Sequence, residues 1–341
     1  MSNPSRRILR AGWLIAVSGC LALAAVELNH PTGSKGILLI DKLGAHLRFL
    51  DPVNYKEIAN VETAANPHDF AISADHKTAF VPIYGDGVYG RNPHPGHEID
   101  IVDLDQHKIT GVIDIAPNRA PHGIQIDHDD LLYVTCDLDR RVLVVDPAKR
   151  TIVRSIDTEG TGHWIALVRQ TGKLYVANKN DRLFISVLDV KTGKMIGKIP
   201  APNGTQGIAA SPDGTRVVAM DLKEPILIVI DPKTDQVTDR VALKNQTRGG
   251  YKVYFSPDGR QLLTMTEAGG LVNIFDARYI HGEQRVVTAG KDPMGFAFSP
   301  DGKTVLVANH GDGTVSVLDL PSARVTSNFH AGTGIETLSW Y

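Results

Sequence analysis

From about Gly36 onward the chain alternates short apolar runs with clusters of Gly, Pro, Asp and Ser, and no long stretch keeps a helical period. Alternation rich in β-branched residues predicts strands throughout. The runs also repeat. Seven of them end in Asp: Phe49-Leu50-Asp51, Ile101-Val102-Asp103, Val144-Val145-Asp146, Val187-Leu188-Asp189, Val229-Ile230-Asp231, Ile274-Phe275-Asp276 and Val317-Leu318-Asp319. The intervals between these Asp residues are 52, 43, 43, 42, 45 and 43 residues. A period in the low forties with about four strands per unit is the sequence mark of a β-propeller.

Each unit has the same internal order. A first strand runs into a turn such as Ser211-Pro212-Asp213-Gly214, Ser256-Pro257-Asp258-Gly259 or Ser299-Pro300-Asp301-Gly302. In these turns Pro presets φ, the Asp side chain caps the backbone and Gly accepts a positive φ. A second strand follows, as in Leu174 to Asn178. A third ends in the recurring Asp, and a fourth, such as Arg324 to His330, completes the unit. The recurring Asp itself reads as a turn cap rather than as a ligand.

The two ends of the repeat complement one another. Residues 36–63 hold only three strands (Ile37 to Ile40, His46 to Leu50 and Lys56 to Ala59), and the missing first strand stands at the C-terminus, Gly334 to Tyr341. Pairing them in one blade closes the ring and removes the exposed strand edges of an open array. The fold class is therefore all-β, a seven-bladed β-propeller of four-stranded blades. It occupies residues 36–341 as a single domain.

Tyr133-Val134-Thr135, Tyr175-Val176-Ala177-Asn178, the Ser-Pro-Asp-Gly turns and Pro121-His122-Gly123 together resemble the YVTN-repeat β-propeller family over Gly36 to Tyr341. The resemblance bears on fold more than on function, because its residues are turn and core residues and propellers host many activities.

Residues 1–25 have a different character. Arg6, Arg7 and Arg10 precede the apolar run Ala11 to Val26, and Ala22-Leu23-Ala24 supplies small residues for cleavage. This is the layout of a secretory signal peptide, the run being short for a membrane span. Val17-Ser18-Gly19-Cys20 resembles a lipobox that would place a lipid on Cys20. Ser5-Arg6-Arg7-Ile8-Leu9 partly matches a twin-arginine signal, and an uncleaved anchor is the remaining reading. Residues 26–35 form a short linker. The expected location is periplasmic or extracellular, with membrane contact only through that N-terminus. Cys136 is the one cysteine left in the mature chain, so no internal disulfide forms, and a small buried residue on a strand is expected there.

Hydrophobic residues make up 42% and charged residues 22% of the 341, which fits a soluble protein with a full core, and the 32 Gly and 19 Pro fit many tight turns. Lys plus Arg number 36 against 38 for Asp plus Glu, so nucleic acid and anionic membrane surfaces have no electrostatic case as partners. A monomer is expected, with a small molecule or a protein on the channel face.

Chemistry is sought where the repeat stops repeating. At the entrances of successive first strands stand His68, His122, His163, Gln206, Tyr251 and Met294, with Gly334 or Glu336 in the seventh unit. Three histidines at one level suit a Zn or Cu ion; the alternative is a family turn whose imidazoles bond backbone or water. The long interval is an insertion, residues 84–98 (YGDGVYGRNPHPGHE), read as a binding loop on the same face. It carries Tyr84, Asp86, Tyr89, Arg91, His94, His97 and Glu98, and His94 and His97 are candidate further ligands. A second ring, Asp41, Tyr84, Asp137, Lys179, Asp221, Glu267 and His310, ends the second strands and fits either a ligand-orienting or a solvated rim. Cys-x-x-Cys-His, Gly-x-x-x-x-Gly-Lys-Ser/Thr, His-Glu-x-x-His and Gly-x-Ser-x-Gly are all absent, which removes covalent c-type haem and leaves serine hydrolysis unsupported.

Three functions follow. The first is an exported binding or scaffold propeller, with Tyr84, Tyr89, Arg91, Lys179, Gln206 and Tyr251 contacting the ligand. The second is a metal-dependent, lactonase-like hydrolase, with His68, His122 and His163 on the metal and Glu98 or Asp86 as base. The third is a copper-bearing redox propeller.

Overall fold

The computed structural model describes residues 34–341 except Gly90, Asn180, Asp181 and Glu267. The expected signal peptide, with Cys20, and most of the linker lie outside the described residues. The described chain forms seven antiparallel sheets of four strands each, arranged as the blades of a β-propeller. Among the described residues no helix is long and apolar enough to cross a membrane.

Blade position explains the burial of each strand. Middle strands such as Arg141–Asp146 and Phe184–Asp189 are apolar on both faces and buried between neighbouring blades. Outermost strands such as Thr151–Asp157 and Gln236–Ala242 alternate exposed and inward residues, as a half-covered edge requires. The core is divided among the interfaces: one cluster joins Ala166, Tyr175 and Val187 to Val217, Ala219 and Ile228 of the next blade. Cys136 is a buried strand residue, as expected.

The repeated turn residues do what their spacing predicts. Each of the seven recurring Asp carboxylates accepts at least one backbone N–H from the turn that follows, as Asp103 does from Asp105 and Gln106 and Asp231 does from Lys233. In the Ser-Pro-Asp-Gly turns the Ser hydroxyl donates to the Asp carboxylate and accepts the N–H five residues on.

One blade is shared by the chain ends. Its order is Ile335–Trp340, Ile37–Asp41, His46–Leu50, Glu57–Glu62. The C-terminal strand pairs antiparallel with the first, Ile37 opposite Trp340 and Leu39 opposite Leu338. Asp41, read from the sequence as part of a channel rim, is instead the fastener of this closure. It is fully buried. Its Oδ1 accepts the backbone N–H groups of Gly44, Thr333 and Gly334 and the Thr333 hydroxyl, while Oδ2 accepts Nε and Nη2 of Arg48. Burial pushes its carboxyl pKa up, but Arg48 and the Gly334 and Thr333 donors outweigh that and hold it below the usual value.

This clamp generates a pH prediction. A carboxylate with a depressed folded-state pKa binds fewer protons in the native than in the unfolded chain. Its stabilisation is present above the unfolded pKa near 3.8 and is lost as pH falls through the folded value. Asp41→Asn is expected to cost about 3 kcal/mol near pH 7, because Arg48 and the backbone donors lose their charge partner. The variant should then lose less further stability than wild type below roughly pH 4, as read from urea midpoints across the acid range.

Candidate functional site

Inner strands set the geometry of the channel. On alternate blades the residue after the ring position is Gly123, Gly207 or Gly295. A Cβ there would collide with the carbonyl oxygen of His163, Tyr251 or Glu336 on the neighbouring inner strand. These glycines let the inner strands approach and align His122 with His163, Gln206 with Tyr251 and Met294 with Glu336. The seventh ring position is therefore Glu336 rather than Gly334.

The three histidine rings pack in a row, tilted against one another. Ring centroids of His68 and His122 lie 4.5 Å apart and those of His122 and His163 3.9 Å apart, each residue at most 5% exposed. Tyr84 closes one flank, 4.7 Å from His68, and Trp164 lies beneath, 4.8 Å from His122. Burial is the largest cause and depresses the pKa of all three, Glu336 pulling against it at His68 and the adjacent imidazole adding to it at His122 and His163, so the rings are neutral near pH 7. Glu336 goes the other way: burial pushes its carboxyl up, but Lys42 and His68 hold it well below the usual range. Its Oε2 lies 3.2 Å from Lys42 Nζ and its Oε1 3.3 Å from His68 Nδ1. A neutral His68 then donates through Nδ1 to Glu336, which leaves Nε2 as a buried acceptor. Among the described residues no hydrogen-bond partner meets His68 Nε2, His122 Nδ1, His163 Nδ1 or Gln206 Oε1.

The insertion is a hairpin, not the irregular loop expected. Strands Thr78–Val88 and Arg91–Asp103 simply continue, pairing Ile83 with Glu98, Asp86 with His94 and Val88 with Arg91. Two bulges interrupt the ladder, and Gly85 and Gly87 sit there at φ 91° and 110°. A Cβ on either would strike the carbonyl oxygen of His94 or Arg91. The alternation that makes a strand was hidden by Gly and Pro, which here bend a paired ribbon.

Its tip reaches across the ring. The Tyr89 ring lies tilted against His163, at 5.1 Å, and its hydroxyl lies 2.8 Å from the Lys179 carbonyl and 3.1 Å from that of Thr161, two blades away. The Lys179 ammonium lies 4.9 Å from the Tyr89 ring and 5.7 Å from that of Tyr251. Asp137, buried beside Tyr84 and Lys179, has a carboxyl pushed well up by burial against both neighbours. The hairpin thus covers the histidines.

The structure brings together His68, His122, His163, Tyr84, Tyr89, Lys179, Gln206 and Tyr251. It sets the rest of the insertion apart. His94 bonds Asp86 and His97 bonds Asp114, all on exposed surface, while Arg91 is exposed at the tip. Glu98 lies in the ladder opposite Ile83 and Asp114. In the second ring, Asp221 caps a turn through the N–H groups of Lys223 and Glu224, and Glu267 is outside the described residues. Among the described residues no three or more His, Cys, Asp or Glu side chains are grouped so as to hold a metal ion.

Sequence reading passed over the layer directly below: Asp69, Trp164, Lys252 and Thr337. Each follows a ring residue, and the signal was the alternation of Gly with a large or charged side chain at that position. Lys252 lies 3.7 Å over the Trp164 ring. Burial lifts the Asp69 carboxyl to about 7, against the opposing charge of Lys252.

Fold and site together define a seven-bladed β-propeller with a covered channel mouth. Among solved structures, the chain is similar to a chain of Kuenenia stuttgartiensis hydrazine synthase (TM-score 0.72, 18% identity, 85% of this chain and 93% of that one). It is also similar to a functionally unknown protein from Desulfotomaculum acetoxidans (TM-score 0.75, 11% identity, 90% and 99%). A third is the Cps50 (Swd1) β-propeller domain of Myceliophteria thermophila (TM-score 0.68, 11% identity, 83% and 92%). At these identities the likeness is one of fold. No family model and no curated protein matches the chain.

Tyr89→Phe removes the hydroxyl that ties the hairpin to the fourth blade. Amides of residues 91–98 should then exchange with solvent about tenfold faster, with blade-core amides unchanged, in hydrogen-exchange mass spectrometry.

Proposed function

We propose that the protein is an exported, YVTN-type propeller that binds a small ligand at the covered mouth of its channel, with the 84–98 hairpin as the cover. The observation that carries this reading is the row of three buried, neutral imidazoles with ring nitrogens that meet no partner among the described residues. A buried polar atom without a partner costs about 1–3 kcal/mol, so an occupant that satisfies several at once is strongly favoured. Gln206 Oε1 adds another acceptor, and Tyr84, Tyr89 and Trp164 supply flat apolar walls.

Hydrolysis is less well supported. Asp86 and Glu98 belong to the hairpin ladder, and Glu336, the carboxylate against the histidines, is engaged by Lys42 and His68. A second reading keeps the site and makes its occupant a zinc or copper ion. Neutral imidazoles on three adjacent blades favour it, since metal ligation needs the deprotonated ring nitrogen. Lys42, Lys179 and Lys252 nearby disfavour an added cation.

Native mass spectrometry and metal analysis of protein from the exported fraction test both readings. Wild type is expected to carry a non-protein mass that is missing from a His68→Ala, His122→Ala, His163→Ala variant. Stoichiometric zinc or copper would make the occupant a metal. Identical bare masses for the two proteins, after metal supplementation, would overturn both readings.

A further inference from the structure

Below the histidine layer the channel is open rather than filled. A chamber of about 650 Å³ extends from Asp69, Trp164, Lys252 and Thr337 to a mouth beside Ser211-Pro212 and Ser256-Pro257, on the face of the Ser-Pro-Asp-Gly turns. That is the face opposite the hairpin. The volume falls within the usual range for small-molecule sites, about 300–1,000 Å³.

The blind end holds a buried cation with few partners. Lys252 is 3% exposed, and its Nζ meets one hydroxyl, Thr337 Oγ1 at 3.3 Å, and one aromatic face, Trp164 at 3.7 Å. Thr337 in turn donates its proton to the His68 carbonyl at 2.9 Å, so its oxygen is the acceptor for Lys252. An ammonium has three donors, and among the described residues no carboxylate forms an ion pair with this one; Asp69 and Glu336 act on it only through space. A buried charge without a full set of acceptors is costly, so the lysine favours an anion beside it. The walls between blind end and mouth mix an apolar strip, Phe70, Ile124, Ile208, Phe296 and Phe298, with polar side chains such as Gln125 and Tyr254, and the exposed Arg169 and Gln170 stand at the mouth. Asp69 is the one acidic side chain lining the chamber among the described residues, and it opposes a second negative charge at the blind end.

We propose that this chamber is a second binding site, for a small amphipathic monocarboxylate whose head is received by Lys252 and whose apolar body lies along the phenylalanine and isoleucine walls. The site opens on the face opposite the hairpin, shares Trp164 with the histidine layer and does not rest on the function proposed for that layer.

The test is isothermal titration of the full chain with decanoate, beside decanol and decyltrimethylammonium as neutral and cationic controls of the same length. Decanoate is expected to bind one-to-one and the two controls to bind at least about tenfold more weakly. Lys252→Met should weaken decanoate roughly 10- to 100-fold, the loss of a hydrogen bond to a charged group, while Lys252→Arg retains most of the binding. Phe298→Asp, placed on the half-buried wall, should weaken it as well, and decides the matter if Lys252→Met does not fold. Absence of decanoate binding, equal binding of decanol, or unchanged affinity in a folded Lys252→Met or Phe298→Asp variant would overturn the proposal.

Discussion

The structure depends on one strand pairing, that of Ile335–Trp340 with Ile37–Asp41. Without it the ring has two unsatisfied edges, and the outer faces of the first and seventh blades lose their apolar cover, which includes Ile37, Leu39, Leu306 and Trp340. Side-chain burial sets the register of this ladder, in which Ile335–Trp340 mixes Glu336, Thr337 and Ser339 with its apolar residues. Asp41 reinforces it. Its carboxylate is met by donors from Arg48, Gly44 and the Thr333-Gly334 backbone, in a geometry that one alignment of the two ends satisfies.

Closure also shapes the channel. Seven inner strands converge on one axis, and their side chains cannot all be large. At the second level, Gly123, Gly207 and Gly295 alternate with Trp164, Lys252, Thr337 and Asp69, so the small residues allow close strand approach and the others meet across the axis. The layer above is filled by the histidines, Gln206, Tyr251, Met294 and Glu336. This packing divides the channel into a sealed mouth under the hairpin and an open chamber on the opposite face. The two faces therefore carry different chemistry: neutral nitrogen donors and acceptors under aromatic cover on one side, a buried ammonium in a chamber of mixed apolar and polar walls on the other.

Burial governs the charge states in both places. The same loss of water that neutralises His122 and His163 raises the Asp69 carboxyl, while Glu336 stays ionised because Lys42 and His68 stand against it. Glu336 keeps its charge because Lys42, which follows the strand paired with its own, and His68 of the next blade both meet it, contacts that exist only because the ring is closed.

The periodic spacing of the third-strand Asp residues, the Ser-Pro-Asp-Gly turns and the split first blade were readable in the amino-acid order, because turn capping and strand alternation are local and repeat in each unit. The grouping of His68, His122 and His163 was readable for the same reason: equivalent positions in successive repeats meet around an axis. Which neighbours they meet was not. Asp41 and Tyr84 stood in one rim by position, yet one became the fastener of the ring and the other a wall of the histidine row. His94 and His97 resembled further ligands until the hairpin register, set by bulges at Gly85 and Gly87, turned them toward Asp86 and Asp114. Lys252 gave no signal on its own, since its chemistry comes from Trp164 and Thr337, 88 and 85 residues away in the sequence. The sequence by itself determined the repeat and the closure of the ring. Only the tertiary structure decided which face is sealed and which is open, because that depends on side chains from different blades competing for the same axial space.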